Sequence, residues 1–332
     1  MRRRANRRAR CPGRRHAGRA PRVRARRHLR GRHLNELRFD GRVAIVTGAG
    51  RGIGRAYALL LAARGATVVV NDLGGSIEGT GADAGPAWAV AGEITGAGGV
   101  AVADTSDVAT STGAQALVEG ALSNFGHLDV VINNAGIMRW AGPPEVDEHN
   151  LTAHLAVHTI GSFNVTRAAW PHMMERTYGR IVMTTSSGVF GLKNNTSYAT
   201  AKAAVIGLTR SLAVAATKHG IRVNLIAPAA MTRMAGDGDA PEMAPDLVAP
   251  MAAYLAHESC PANGEMYAAG AGRFARIFLA TTPGYVHPGA AVTIEDVADH
   301  WADINDEAGY SVPKDLRDWS ARFLSHLPQS EG

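Results

Sequence analysis

Cysteine is nearly absent from this chain, with two residues in 332, Cys11 and Cys260, far apart in sequence. That excludes a disulfide framework and points to a reducing, cytoplasmic setting. No apolar run reaches the roughly 18 residues that a bilayer crossing needs, so no membrane span is expected. The N-terminal region lacks the apolar core of a secretory signal. No metal site is expected either. Hydrophobic residues make up 46% of the chain, which supports a sizeable core, and the 38 glycines suit a fold with many tight turns.

Acidic residues are missing from one end only. Residues 1–38 hold 16 arginines against a single acid, Glu36. The remaining 294 residues carry 19 basic and 28 acidic side chains, so the net charge of +6 is a property of the arm. The body is acidic and gives no sign of nucleic-acid binding outside the arm. The arm is too charged and too poor in apolar residues to fold alone. It reads as a translated upstream stretch, a basic arm for nucleic acid or acidic lipid, or an organelle-targeting segment. The expected organisation is a disordered basic arm at 1–38, a catalytic domain at 39–272 and a partly helical C-terminal extension at 273–332.

Past the arm, short apolar runs alternate with helical patterns. Val43–Thr47 reads as a buried strand, 52–63 as a helix stopped by Gly65, and Thr67–Asn71 as a second strand. A loop and short helix over 74–98 precede a strand at 100–103 and a helix at 111–124. Further strands are expected at 128–132, 180–184 and 222–226. One long helix is expected over 148–176 and another over 197–218. This alternation implies an α/β fold: a single doubly wound parallel-sheet Rossmann domain with helices on both faces.

Four motifs carry chemistry. Thr47-Gly48-Ala49-Gly50-Arg51-Gly52-Ile53-Gly54 joins the first strand to the first helix. Its glycines let the backbone approach a pyrophosphate, and the helix start offers free N–H groups. Asp72, about 20 residues further on, can accept from a ribose diol and repel a 2′-phosphate, favouring NAD over NADP. Arg51 pulls the other way. Asn133-Asn134-Ala135-Gly136 follows the fourth strand, where small residues let a cofactor lie against the strand ends. Tyr198-Ala199-Thr200-Ala201-Lys202 puts a phenol and an ammonium one helical turn apart. A phenol titrating near about 10 is a poor base at neutral pH, and a neighbouring cation makes it a better one. It can then take a hydroxyl proton as hydride leaves the same carbon.

In this order and spacing the motifs resemble the short-chain dehydrogenase/reductase family over about residues 40–270. Val70-Asn71-Asp72-Leu73-Gly74-Gly75, Arg167-Ala168-Ala169-Trp170-Pro171, and Val248-Ala249-Pro250 with His257-Glu258-Ser259-Cys260 resemble one branch more narrowly. That branch comprises the (3R)-hydroxyacyl-CoA dehydrogenase units of peroxisomal multifunctional enzymes and their stand-alone bacterial relatives.

The resemblance implies Tyr198 as the base and Lys202 as its helper and as a holder of the nicotinamide ribose. A serine after the fifth strand would hold the substrate oxygen. Counting forward from Arg180 gives Ser186, and counting back from Tyr198 gives Thr185. The strand side is preferred because loops absorb deletions, so Ser186 is the choice, with Thr185 and Ser187 as alternatives. His158 stands where many members place an asparagine that holds a relay water; a helix-core histidine is the competing reading.

Asp107 and Val108 would lie against adenine. Gly48, Arg51, Gly52, Ile53 and Gly54 would hold the phosphates, and Asn134, Ala135 and Gly136 would line the cofactor side. Pro228 and Thr232 would close on the nicotinamide amide, and 230–246 would form a substrate lid.

The implied activity is NAD-dependent interconversion of a secondary alcohol and a ketone, with a 3-hydroxyacyl-CoA as substrate. A hydroxysteroid or other bulky alcohol is the alternative, and a silent NAD-binding scaffold the reading from another class. A homodimer or homotetramer is expected.

Overall fold

A computed structural model describes residues 36–234, 240–289 and 291–327. Cys11 and all of the basic arm before Glu36 lie outside the described residues, and so does the middle of the expected lid, 235–239. The described residues from Leu37 onward make up one compact unit.

Its centre is an eight-stranded sheet. The strands are β1 (Val43–Thr47), β2 (Thr67–Asn71), β3 (Val100–Asp104), β4 (Val130–Asn133), β5 (Gly179–Thr184), β6 (Ile221–Pro228), β7 (Met266–Gly270) and β8 (Arg273–Ile277). Their spatial order is β3-β2-β1-β4-β5-β6-β7-β8. All neighbours pair in parallel except β7 and β8, which are antiparallel. The order reverses between β1 and β4, and the carboxyl ends of the strands at such a reversal leave a crevice.

Helices cover both faces. On one side lie α1 (Gly52–Ala63) and α2 (Gly85–Gly96). On the other lie α3 (Ser111–Phe125), the run α4 (Glu148–His154), a π-helical turn at Leu155–Gly161, α5 (Ser162–Glu175), and α6 (Thr196–Ala216). Then α7 (Ala249–Ala256) joins the α1 side.

The period-2 alternation of β1 shows why both faces must be covered. Ala44 and Val46 enter the core beneath α1, α2 and α7, while Val43 and Ile45 enter the one beneath α3, α5 and α6. Over residues 196–219, α6 and the turn after it are apolar enough by length and composition to cross a bilayer. The helix instead lays Ser197, Ala201, Lys202, Val205, Thr209, Ala213 and Ala216 as a buried face on the sheet.

Three differences from the sequence reading stand out. The long helix expected over 148–176 is present, but one π-helical turn interrupts it. β7 and β8 were not foreseen. Met-Tyr-Ala-Ala-Gly in β7 is short and small, and β8 is an almost wholly exposed edge strand with arginines at 273 and 276, so neither shows clean apolar alternation. Finally, the expected boundary at residue 272 falls inside the β7–β8 hairpin, since β8 pairs with β7 from Met266↔Ile277 to Gly270↔Arg273. The extension beyond it holds α8 (Ile294–Asp299), α9 (Trp301–Ile304) and α10 (Leu316–Phe323). It touches α6 where Arg210 Nη2 donates to the carbonyls of Pro313 and Lys314, 2.9 and 3.0 Å away.

Candidate active site

At the carboxyl ends of β1, β2 and β4 the crevice becomes a cleft of about 560 Å³. Its floor is the glycine loop. A Cβ on Gly54 would lie 2.1 Å from the Gly48 carbonyl oxygen, and one on Gly48, whose φ is +62°, would lie 2.8 Å from Ala135 Cα. The loop after β1 and the loop after β4 therefore touch backbone to backbone. Thr47 and Asn134 lock them together. Thr47 Oγ1 accepts the N–H groups of Asn134 and Ala135, each at 3.0 Å, and Asn134 Nδ2 donates to the carbonyls of Thr47 and Gly48 at 3.0 and 3.1 Å. The Asn134 amide is thus used on the loop itself.

The α1 N-terminus opens into this cleft with no side-chain cap, because Arg51 occupies the capping position. Its first N–H groups and dipole favour an anion. Arg51 Nη1 is buried without a partner among the described residues. Arg233, just past Thr232, also lines the cleft within electrostatic reach of Arg51 and Asp72. Asp72 accepts from Gly50 N–H at 2.8 Å and Gly74 N–H at 2.7 Å, so one carboxylate ties the glycine loop to the end of β2.

Twelve of the expected cofactor-side residues line this cleft. They are Gly48, Arg51, Gly52, Ile53, Gly54 and Asp72, with Asp107, Val108, Asn134, Ala135, Gly136 and Thr232 on the remaining walls. Tyr198, Lys202 and Pro228 do not. Pro228 ends β6 beside Ala269, and Tyr198 and Lys202 stand on α6. The segment expected as a lid is closed at its base by Met231 N–H donating to Met243 O at 2.7 Å.

The four residues assigned to chemistry form a second cluster behind Gly136. Lys202 Nζ is buried and donates to Thr184 O at 2.8 Å, 5.7 Å from the centre of the Tyr198 ring. Burial of the ammonium lowers its pKa to about 7. Burial also pushes the Tyr198 phenol up, and a hydrogen bond with the Ser186 side chain partly offsets it.

Among the three hydroxyls left open by the sequence, Ser186 is the one that stands with Tyr198 against Gly188 and acts on its phenol. Thr185 Oγ1 is buried and donates to Lys202 O at 2.8 Å, and Ser187 is exposed. His158 is buried and meets Tyr198 edge-on, with ring centres 5.2 Å apart. Its imidazole is held well below its ordinary range by burial and by the facing Lys202, so it is neutral. A Cβ on Gly136 would lie 2.5 Å from His158 Cε1, so glycine is required where the cleft wall meets this cluster.

Sequence reasoning missed Arg233, Arg139 and His154. Arg233 directly follows the expected Thr232, and His154 lies four residues before His158; both spacings were visible.

Comparison with known proteins gives the family. Residues 42–240 match the short chain dehydrogenase family. A short-chain type dehydrogenase/reductase of Mycobacterium tuberculosis is 44% identical over 276 residues, covering 82% of this chain and 96% of that one. Peroxisomal multifunctional enzyme type 2 of Drosophila melanogaster is 44% identical over 280 residues, covering 82% of this chain and 46% of the fly protein. The solved full-length fly structure matches with a TM-score of 0.73 at 36% identity, covering 87% of this chain and 50% of that one. The chain thus spans about half the length of this multifunctional relative. A solved 7α-hydroxysteroid dehydrogenase, in complex with NADH and 7-oxoglycochenodeoxycholic acid, matches with a TM-score of 0.64 at 30% identity, covering 71% and 95%.

The chain belongs to the short-chain dehydrogenase/reductase family. It is an oxidoreductase.

Proposed function

We propose that the chain is an NAD-dependent dehydrogenase interconverting a secondary alcohol and a ketone, with a 3-hydroxyacyl-CoA as substrate. The observation that carries this reading is the Tyr198 phenol with the Ser186 side chain beside it, both against Gly188, and the buried Lys202 one turn further along α6. The cleft fits a dinucleotide: Gly48 and Gly54 leave room for no side chain, the α1 N–H groups are uncapped, and the buried Arg51 Nη1 has no partner among the described residues. A bound nicotinamide would supply the ring carbon that exchanges hydride with the substrate.

The chain's own residues manage the proton. Ser186 Oγ and Tyr198 Oη together hold the substrate oxygen. In oxidation the alcohol O–H proton passes to Tyr198 Oη, the carbinol C–H pair leaves as hydride, and a C=O double bond remains. Lys202 stabilises the phenolate that must exist before this transfer. In reduction Tyr198 returns its proton to the carbonyl oxygen.

Asp72 supports NAD, since its carboxylate lies on the cleft wall and would repel a 2′-phosphate. Arg51 and Arg233 oppose it, and we weigh the carboxylate more heavily. The acyl-CoA assignment rests on the branch resemblance in residues 70–75, 167–171, 248–250 and 257–260. A bulky hydroxysteroid is the second reading, favoured by the match to the 7α-hydroxysteroid dehydrogenase. A homo-oligomer is proposed, supported by Ile160 and Phe163, which are exposed on the π-helical turn and α5.

The test is purified full chain with NAD⁺ and a panel of 3-hydroxyacyl-CoAs and hydroxysteroids, followed at the NADH absorbance. Acyl-CoA turnover that Tyr198→Phe cuts by about 10³-fold, with NAD⁺ still bound, is the expected result. Tight NAD⁺ binding with no turnover of any substrate would leave a scaffold instead.

A further inference from the structure

Two histidines sit one turn apart at the π-helical interruption, and only His158 belongs to a motif discussed above. His154 is fully buried. The two rings are nearly parallel, with an interplanar angle of 10° and centroids 5.8 Å apart. Both stand edge-on to Tyr198, His154 at 6.2 Å and 86°, His158 at 5.2 Å and 87°.

Each ring also holds the chain segment that follows β4. Arg139 N–H donates to His154 Nε2 at 3.2 Å, while His154 Nδ1 lies 2.8 Å from Asn150 O. A carbonyl can only accept, so Nδ1 carries the proton and Nε2 offers its lone pair. His158 Nε2 lies 3.2 Å from Ile137 N and 2.9 Å from Ile137 O. Ile137 and Arg139 are thus both held by rings on one helix. These residues line the cleft, next to Gly136.

The charged groups facing the pair are Lys202 from α6 and Arg139 from the segment after β4. Tyr198 on α6 is the other titratable neighbour. On the same helix His149 Nδ1 meets Arg139 Nη1 at 3.4 Å. Burial disfavours a second proton on His154, and both facing cations add to it. Such a proton would sit on Nε2 and point at the Arg139 N–H.

We propose that His154 is a positioning residue for proton transfer at Tyr198: its neutral ring holds the 137–139 segment and backs the His158 ring, and protonation undoes both. The inference rests on the reading of Tyr198 as the proton-transfer group. His154 touches no reacting atom. It acts through the backbone of Arg139 and through the two rings it packs against, which together set where the phenol stands relative to the cleft wall.

Two variants and one spectroscopic measurement test it. His154→Phe keeps a ring but offers Arg139 no acceptor. It should lower kcat about tenfold while the substrate KM stays within about twofold, since small misplacements of reacting groups cost rate more than binding. His154→Gln offers an acceptor that never protonates, so activity should return to near the wild-type level and, in ketone reduction, where the Lys202–Tyr198 pair causes no acid loss, persist further into acid.

Imidazole nitrogen NMR on the full chain without dinucleotide should show His154 as the neutral Nδ1–H tautomer. Its protonation should fall below the ordinary imidazole range, with the Arg139 amide signal moving at the same pH. A His154→Phe enzyme with wild-type kcat and acid limb overturns the proposal. So does an Nε2–H tautomer or an ordinary titration, and this arm decides if the variants fail to fold. An active Tyr198→Phe enzyme would instead remove the functional reading. An inactive one beside an unaffected His154→Phe removes only this inference.

Discussion

Lowering the pH from about 8 to about 6 should cut the rate of alcohol oxidation roughly tenfold, and the cause is the burial of Lys202. Its ammonium donates to Thr184 O at 2.8 Å with almost no exposed surface, and desolvation brings its pKa to about 7. Burial moves the Tyr198 phenol in the opposite direction, upward, and the Ser186 hydrogen bond only partly reverses that.

The two groups interact, so protons leave the pair and not one residue. Above about 7 the pair has lost one proton. The proton that remains is shared between a neutral phenol with a free amine and a phenolate with an ammonium. The second arrangement accepts the substrate proton, and no further change of pH is needed to reach it. With one group titrating near 7, about nine-tenths of the pairs have lost that proton at pH ~8 and about a tenth at pH ~6.

Ketone reduction needs the doubly protonated pair and should show the reverse trend, falling roughly tenfold as the pH rises from about 6 to about 8. Initial rates in both directions, at saturating dinucleotide and constant ionic strength, give kcat/KM profiles that cross near neutrality. Lys202→Met should remove the neutral limb and lower oxidation at pH ~8 by about 10²-fold. Oxidation that is flat between these values and rises only where an ordinary phenol titrates, near pH ~10, would refute the reasoning.

Asp72→Ala removes the acceptor for the Gly50 and Gly74 N–H groups and the charge at the end of β2. It should weaken NAD about tenfold and shift preference toward NADP, by fluorescence titration of both; an unaltered ratio would assign the preference to Arg51 and Arg233. Gly136→Ala drives a methyl to 2.5 Å from His158 Cε1. It should cost about 1–3 kcal/mol in thermal or urea unfolding and lower kcat, whereas unchanged stability and rate would show that the wall gives way freely.

Much of the architecture was legible because it is local. The runs Val-Ala-Ile-Val-Thr and Thr-Val-Val-Val-Asn can be buried only as strands covered on both faces, and both appear as read. The glycine spacing and the Tyr198–Lys202 spacing depend on a few consecutive residues, and helical or turn geometry converts such spacings directly into proximity. β8 was not legible because an exposed edge strand with two arginines has no apolar face to reveal it. The π-helical turn was not legible either, since Leu155–Gly161 has an ordinary helical composition.

Sequence by itself therefore determined the order of elements, the two-sided sheet and the residue types that could carry a hydride-transfer chemistry. Tertiary structure decided what those residues do to one another. It turned the Thr185 hydroxyl onto α6 and set Ser186 against the phenol. It spent the Asn134 amide on the glycine loop and buried Lys202 deeply enough to bring its titration to neutrality. It also brought His154 beside Tyr198 across 44 residues of chain. Identity and spacing travel along the backbone, but desolvation, orientation and the choice of hydrogen-bond partner arise only when distant segments close around a group.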